Sequence, residues 1–560
     1  MKNFLSITLM LLSIVMMAES SSAQTVNWAK TYGGPLKDKG RDIGIDQDGN
    51  LYVTGFFTDS AQFGSIVLHS VSEQVDEDIF IAKFDPDGNP IWAHSLGNGT
   101  SVHTDFPFGF TVNRDGMIAL TGRCSNYIKF DKGDSIPVSG ENNMFLCVFD
   151  TDGNLLWSKV GGILDESNPG TGSYMDDLGN IYITANYSGE GNIFNDVIIP
   201  DSISQHHMFV VCYDLNKNLK WLKVYDSETR LQSRDIVSDH NGGVLIGGNY
   251  SNTMVFGNYS FTSKGEDDGY ILRLNSTGEL IWAKTFGSTA AESYESAYSM
   301  NTDLFGNFYV VTTFQNDIDF DGNTVVTGLL HNIGIASYDL DGNFRWMNTI
   351  RGNKDSSDFS VFCLSTISEN NVIVSGCFDG IDTVGGSIII KPFGANPYIH
   401  DAFYAAFSPY DGEVQWAIST GGISSDSNYG LTGNNTGYAY GTGSYRNKGQ
   451  FGPYLLISYG DADAFMLKLE EGIATSAESA PAVLPLMTFP NPTNGDLNII
   501  IPAKVTTLKV VNALGQVVYS KYVKSDSNHF LNLDTYTNGI YYVELSGGSN
   551  KYASRVLVQR

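Results

Sequence analysis

The amino-acid sequence predicts an all-β protein in which one structural unit repeats seven times, followed by a small β unit of different character. Three observations predict this. Seven tryptophans, Trp28, Trp92, Trp157, Trp221, Trp282, Trp346 and Trp416, fall at intervals of 64, 65, 64, 61, 64 and 70 residues, a period too regular for scattered residues. Sixty glycines in 560 residues mark a turn-rich chain. No long stretch carries apolar residues at helical spacing.

The chain opens on an export signal. Lys2 supplies a positive start, residues 4–18 an apolar run, and Ser21-Ser22-Ala23 a small-residue cleavage site. Residues 1–23 therefore read as a signal peptide, with Gln24 first in the mature chain. The run is short for a membrane span, and no other run approaches about 20 apolar residues. No transmembrane segment is expected in the mature chain.

Residues 24–470 hold the repeats. Each contains the same ordered pieces: a tryptophan strand such as "IWAKTFG" (281–287), a polar loop, a strand such as "RDIGIDQDGN" (41–50), then "LYVTGFF" (51–57). A looser segment beginning near Phe-Gly leads into the next strand, "DIFIAKFD" (78–85). That makes four principal strands per repeat, rich in β-branched and aromatic residues. Four-stranded units repeated radially make a β-propeller. The strand of Trp28 is the last strand of a unit, and the final unit, ending at residues 463–472, lacks one. Pairing Val26–Tyr32 with Phe465–Leu469 would complete it and leave no unpaired edge. The expected fold is a seven-bladed β-propeller of four-stranded blades closed by the N-terminal strand, with an open solenoid as the alternative. The tryptophans, at one place in every repeat, are expected in the core between blades, a sugar-stacking platform being the alternative.

On "YGG…D…GIDQDGNLYVTGFF" (32–57) and its six weaker copies, residues 26–470 resemble the bacterial β-propeller repeats called SBBP repeats. The resemblance implies the fold and leaves the function open.

Residues 471–487, small, proline-bearing and poor in charge, read as a linker. Residues 488–560 contain no tryptophan and alternate as short strands ("LNIIIP", "TLKVVNA", "QVVYSKYV", "IYYVELS", "ASRVLVQR"), predicting a small β-sandwich. This module resembles the C-terminal type A sorting domain of the type IX secretion system of Bacteroidota. The likeness rests on Phe489-Pro490-Asn491-Pro492 with Gly495, on "NALGQVV" with Gly515, and on "NGIYYVEL" with Gly539 and Tyr541. It implies that the type IX translocon reads the domain and that its sortase cleaves it, leaving the protein secreted, extracellular or attached to the outer-membrane surface. An ordinary terminal binding module is the alternative.

Charge restricts the partners. The formal net charge is −28, and residues 488–560 hold four acids and seven bases, so the rest carries about −31. So acidic a surface repels phosphate backbones, and nucleic acid is not an expected partner. Five cysteines are few for a disulfide scaffold. Cys363 and Cys377 are symmetric about Asn370 in a predicted hairpin, and Cys124 and Cys147 fall on neighbouring strands, so either pair could face across strands. No Cys/His spacing suits zinc, and no metal site or cofactor is expected.

Calcium is the one metal the pattern admits. Asp-x-Asp-Gly-Asn recurs (Asp46–Asn50, Asp85–Asn89, with variants at 113–117, 150–154 and 339–343) and looks like the start of a calcium loop. An EF-hand loop needs a glutamate at position 12, where this chain has Phe57 and Leu96. Each copy also falls where a hairpin must turn, and Asp, Gly and Asn are turn residues. The turn is the preferred reading.

The loops from each tryptophan strand to the next repeat lie on one face in a propeller and each carries an acid: Asp38, Asp105, Asp165, Asp226 or Asp235, Glu292, Asp355, Asp426. Such a ring could hold cations or a polyhydroxylated ligand, or could make the same local bond in every blade. Asymmetric candidates are His103 with Asp105, Arg230 with Arg234 and Asp235, an insertion at 391–401 with Tyr398 and His400, and the loop histidines His206-His207. No sialidase box, His-Glu-x-x-His, Gly-x-Ser-x-Gly or P-loop occurs. The expected function is therefore a secreted or cell-surface propeller, a non-catalytic binding or structural protein with a glycan or protein ligand. The alternative is an extracellular polysaccharide hydrolase or lyase using carboxylates at the channel mouth.

Overall fold

In the computed structural model, residues 25–470 and 484–559 are described except for several segments, the longer being 72–76, 98–104, 138–142, 164–171, 200–205, 353–358, 394–398 and 502–506. The expected signal peptide and most of the expected linker lie outside the described residues. Residues 23–471 form one compact unit, and residues 472–560 belong to a second. The described residues are strands, turns and loops with no helix.

In the first unit the strands group in fours. Lys39–Ile45, Leu51–Thr58, Glu77–Phe84 and Pro90–Gly97 pair antiparallel in that order. The same order recurs along the chain, and among the described residues seven such groups occur. The last is completed from the start of the chain: Thr25–Tyr32 pairs with Asp463–Glu470, Ala29 opposite Leu467 and Thr31 opposite Phe465. The first strands of the groups also touch in cyclic order. Lys39–Ile45 packs beside Phe106–Val112, and the succession runs through Gly172–Met175, Leu231–Ser238, Ser299–Thr302 and Phe359–Ile367 to Ser427–Asn434, which packs back on Lys39–Ile45.

The two middle strands of each group read as continuous apolar runs because both of their faces are covered. Leu51–Thr58 is buried at every position. The covering layers come from neighbouring groups: Tyr309, Ile335 and Trp346 share one core cluster with Val374, Phe403 and Phe407 of the following repeat. Val26 and Ala29 join Tyr404, Trp416 and Phe465 in the cluster where the two ends of the unit meet.

The tryptophans link successive repeats. Trp92 Nε1 donates to Thr151 O at 3.2 Å, Trp157 to Leu215 O at 2.7 Å, Trp221 to Ser276 O at 3.0 Å, Trp282 to Leu340 O at 3.1 Å and Trp346 to Pro409 O at 3.0 Å. Each acceptor is the residue after the capping side chain of a turn in the next repeat. Two of those turns, at 150–154 and 339–343, are Asp-Gly-Asn motifs, and the others are capped by Asp214, Asn275 and Ser408. Asp85 Oδ1 accepts the backbone N–H groups of Asp87 (3.0 Å) and Asn89 (2.7 Å), and its Oδ2 accepts Asn89 Nδ2 (2.8 Å). Asp46, Asp150, Asp176, Asp214 and Asp303 repeat the pattern. The carboxylate is thus committed to its own hairpin.

Three local expectations are corrected. The looser Phe-Gly segment is a hairpin, as in Ser60–Phe63 with Ile66–His69 and Lys448–Phe451 with Tyr454–Ile457, whose phenylalanine is buried. Several of these hairpins pair with the preceding tryptophan strand, for instance Phe320 opposite Phe286. The cysteine pairs do not face each other. A bulge puts Cys363 opposite Ser375 and Cys377 opposite Ser360, while Cys124 lies opposite Asn143 and Cys147 opposite Leu120. Cys124, Cys147 and Cys212 are buried thiols. His206-His207 begin a strand, and His207 is buried against Tyr187 with Nδ1 2.6 Å from Asp226 Oδ1.

In the second unit, Leu484–Pro485, Asn550–Val558, Gly539–Gly547, Thr507–Asn512 and Val517–Tyr522 form one sheet in that order. Thr488–Phe489, Asp496–Ile501 and Ser527–Asn532 form another. Leu497, Ile499 and Leu531 of the smaller sheet and Leu508, Val510, Val543 and Val556 of the larger one share a single core. Ser527–Asn532 was not legible as a strand in the sequence, because its "SNHFLN" is mostly polar.

Candidate functional site

Two of the repeated acids, Asp38 and Asp426, anchor their loops. Asp38 is 1% exposed, its N–H donates to Ala462 O at 2.7 Å, and its Oδ2 accepts Gly34 N at 2.6 Å. Asp426 is 0% exposed, its N–H donates to His400 O at 2.7 Å, and its Oδ1 accepts Arg446 N at 3.0 Å. Asp105 is likewise buried. Burial pushes the carboxyls of Asp38 and Asp426 up to about 8. His103, Asp165, Glu292 and Asp355 lie outside the described residues.

In the loop after Gly287 the residue that makes this anchoring bond is Glu295. Its N–H donates to Asp267 O at 3.1 Å, as those of Asp38 and Asp426 donate to Ala462 and His400. Burial raises it too to about 8. Its Oε2 accepts Ser288 N at 3.1 Å and its Oε1 accepts Ser293 Oγ. The anchor role belongs to the loop geometry, which the spacing of acids along the chain does not reveal.

Where the symmetry breaks, a cavity of about 260 Å³ opens, lined by Arg230, Gln232, Arg234, Asn249, Asp267, Tyr294, Glu295, Ser296 and Tyr298. Two consecutive repeats build it. Arg234 and Tyr298 hold matching positions on their strands, since Asp235 pairs with Gly247 as Ser299 pairs with Val311. Arg230 and Tyr294 lie four residues earlier in each. The guanidinium of Arg230 lies 5.9 Å from the Tyr294 ring, and that of Arg234 5.6 Å from the Tyr298 ring. The pattern Arg-x-x-x-Arg followed one repeat later by Tyr-x-x-x-Tyr was the available sequence signal.

Charge inside the cavity is tightly arranged. Arg230 Nη1 donates to Asp267 Oδ2 at 2.6 Å, and Asn249 Nδ2 donates to the same oxygen at 2.9 Å. Ser296 Oγ donates to Asn249 Oδ1 at 3.2 Å. Burial lowers the pKa of Arg234, while the hydrogen bond to Asp267 raises that of Arg230. Asp235 points elsewhere, accepting Met300 N at 2.7 Å and Ile236 N at 2.8 Å. A second basic and aromatic cluster shares this strand position: Arg41 and Tyr429 fall, like Arg234, at the bulge of their strands, and Arg41 lies 5.0 Å from the Tyr429 ring and 4.9 Å from that of Phe106. Among the described residues no group of three or more His, Cys, Asp or Glu is placed to hold a metal ion. No helix is long and apolar enough to cross a membrane.

In the second unit, Phe489 is half exposed and Pro490 exposed, while Tyr541 is buried with its hydroxyl donating to Thr537 O at 3.0 Å. Gly495 has φ 144°, and a Cβ there would lie 1.9 Å from Asp534 Oδ1, so the position requires glycine. Gly539 lies in its strand with open space around it. Asn491, Pro492 and Gly515 lie outside the described residues.

Residues 487–559 match the family described as the secretion system C-terminal sorting domain, and residues 27–55 match the beta-propeller repeat. No curated protein matches the chain. Solved structures with some likeness include quinohemoprotein alcohol dehydrogenase from Comamonas testosteroni (11% identity, 80% of this chain and 78% of that one, TM-score 0.33). A protein of unknown function from Dyadobacter fermentans shares 10% identity over 80% of this chain and 99% of its own, with TM-score 0.33. The rhamnogalacturonan lyase YesW shares 11% over 69% and 73%, with TM-score 0.28.

Proposed function

We infer that this chain binds a ligand outside the cell: it carries a β-propeller repeat and a type IX sorting domain, and that domain marks it for export to the cell surface or the extracellular space. We propose that what is exported is a non-catalytic binding protein: a seven-bladed ring closed by its N-terminal strand, with a C-terminal β-sandwich that the translocon reads and its sortase removes. The pairing of Thr25–Tyr32 with Asp463–Glu470 and the cyclic contacts of the first strands support the ring. Binding is assigned to the Arg230–Arg234–Tyr294–Tyr298 cavity, in place of a ring of acids at the mouth.

One observation carries this reading: in the cavity one repeat supplies two arginines and the next two tyrosines, each guanidinium lying over the matching ring. Loops that depart from a rigid repeat are where recognition is usually built. Arginine and tyrosine are also the residue types that dominate binding energy at such sites. A glycan and peptide array probed with the full chain tests it. Hits should weaken strongly in Arg234→Gln, and hits indifferent to that change would refute the site.

A lyase or hydrolase is the second reading, favoured by Glu295 and Asp267 lining one cavity. The raised Glu295 recurs at Asp38 and Asp426, outside the cavity, and so belongs to the repeat. New reducing ends or unsaturated products from an acidic polysaccharide, abolished by Glu295→Gln, would establish the enzyme instead.

A further inference from the structure

The chemistry of the Arg–Tyr cavity narrows its ligand. Two guanidinium groups line it beside two acids, Asp267 and Glu295, and burial raises the Glu295 carboxyl to about 8. In a chain of net charge −28, this cavity is locally positive, which selects an anionic group. At about 260 Å³ it lies below the roughly 300–1,000 Å³ of drug-sized sites, so it takes one small unit of a larger ligand.

A plain anion leaves one group unanswered. Asp267, one of the lining residues, is 3% exposed; its Oδ2 accepts Arg230 and Asn249, whereas its Oδ1 is buried without a hydrogen-bond partner. Buried carboxylate oxygens are ordinarily satisfied, and only a donor can satisfy this one. The ligand is therefore expected to bring a hydrogen-bond donor, such as a hydroxyl, close to its acid. Tyr294, exposed at the rim, adds an aromatic face suited to the C–H face of a sugar ring.

We propose that the cavity binds a hexuronate residue of an acidic polysaccharide: its carboxylate meets Arg234 and Arg230, a ring hydroxyl donates to Asp267 Oδ1, and the ring lies against Tyr294. This rests on the cavity being the ligand site of the exported propeller. An acidic peptide also offers a carboxylate and N–H donors, but no saturated sugar ring to lie against Tyr294, and hexaglutamate in the test separates the two.

Calorimetry on the full chain at pH 7, with trigalacturonate, its methyl ester, galactotriose and hexaglutamate, tests the inference. Trigalacturonate should bind at least about tenfold more tightly than the ester or the neutral sugar, since a charged hydrogen bond is lost in both. Arg234→Gln and Tyr294→Ala should each weaken it by about tenfold or more, with thermal midpoints unchanged. If Arg234→Gln lowers the midpoint, Tyr294→Ala, at an exposed position, decides. Equal binding of the methyl ester overturns the acid recognition. Hexaglutamate binding as tightly, and depending on Arg234, keeps the cavity as the ligand site but overturns the hexuronate. Trigalacturonate binding that ignores both substitutions overturns site and ligand together. Absence of binding by all four probes overturns the hexuronate, and the array's response to Arg234→Gln then judges the site separately.

Discussion

Asp426 and Asp38 carry carboxyls that burial holds near 8, well above the ordinary range near 4. For such groups the folded state holds the proton and the unfolded chain releases it. Their contribution is therefore fully present below about pH 4 and is lost as pH rises toward 8. Asp214 works in the opposite sense: hydrogen bonds from Asn218 hold it below the ordinary range, and that contribution is lost only as pH falls through its own titration. Thermal midpoints should consequently fall between pH 5 and pH 8, and Asp426→Asn should flatten that slope while keeping the loop bond from Arg446. A slope unchanged in Asp426→Asn would show that its carboxyl is already ionised in the fold. The repeated acids themselves were legible in the sequence. Their inward direction was not, because it depends on main-chain bonds to Ala462 and His400, far along the chain. For the same reason Glu295 did not stand out: its anchoring role shows only in its bond to Asp267 O.

A turn and a tryptophan make one element together, although they belong to different repeats. Gly412 has φ 75°, and a Cβ there would lie 2.3 Å from Trp346 Cε3, on the indole whose Nε1 bonds Pro409 O in the same turn. Gly412→Ala should cost about 1–3 kcal/mol for the backbone alone and more for the displaced ring. Trp346→Phe should cost about 1 kcal/mol from the lost hydrogen bond, beyond its packing loss. Denaturant midpoints measure both, and a neutral Gly412→Ala would show that the indole does not rest there. Tryptophan spacing and Asp-Gly-Asn turns each stood out in the sequence as strand and hairpin signals. Their contact did not, since Trp346 and Pro409 are 63 residues apart and no local pattern connects them. The Phe-Gly hairpins escaped for another reason: their strands are only three or four residues long, too short for alternation to show.

Across the whole molecule, the first strand completes the last group. Deleting residues 24–33 should expose the edge of Asp463–Glu470, lower the thermal midpoint and make the chain aggregation-prone. An undiminished midpoint, read by calorimetry, would mean that the pairing adds nothing to stability. Deleting residues 488–560 should leave the protein inside the outer membrane, which surface protease digestion of cells would detect. Delivery unaffected by that deletion would refute the role of the sorting domain. Global phase was the most legible level, because seven tryptophans and one missing strand fix it without any side-chain detail. The pairing of Thr25–Tyr32 with a strand more than 400 residues away has a further effect on the order of events. A chain cut short by stalled synthesis or proteolysis lacks the partner of its own beginning. It also lacks the address, which follows Asp463–Glu470 in the sequence. A chain that ends before Asp463–Glu470 therefore also lacks the signal the type IX machinery reads, so that signal passes only chains synthesised through the later half of the seam.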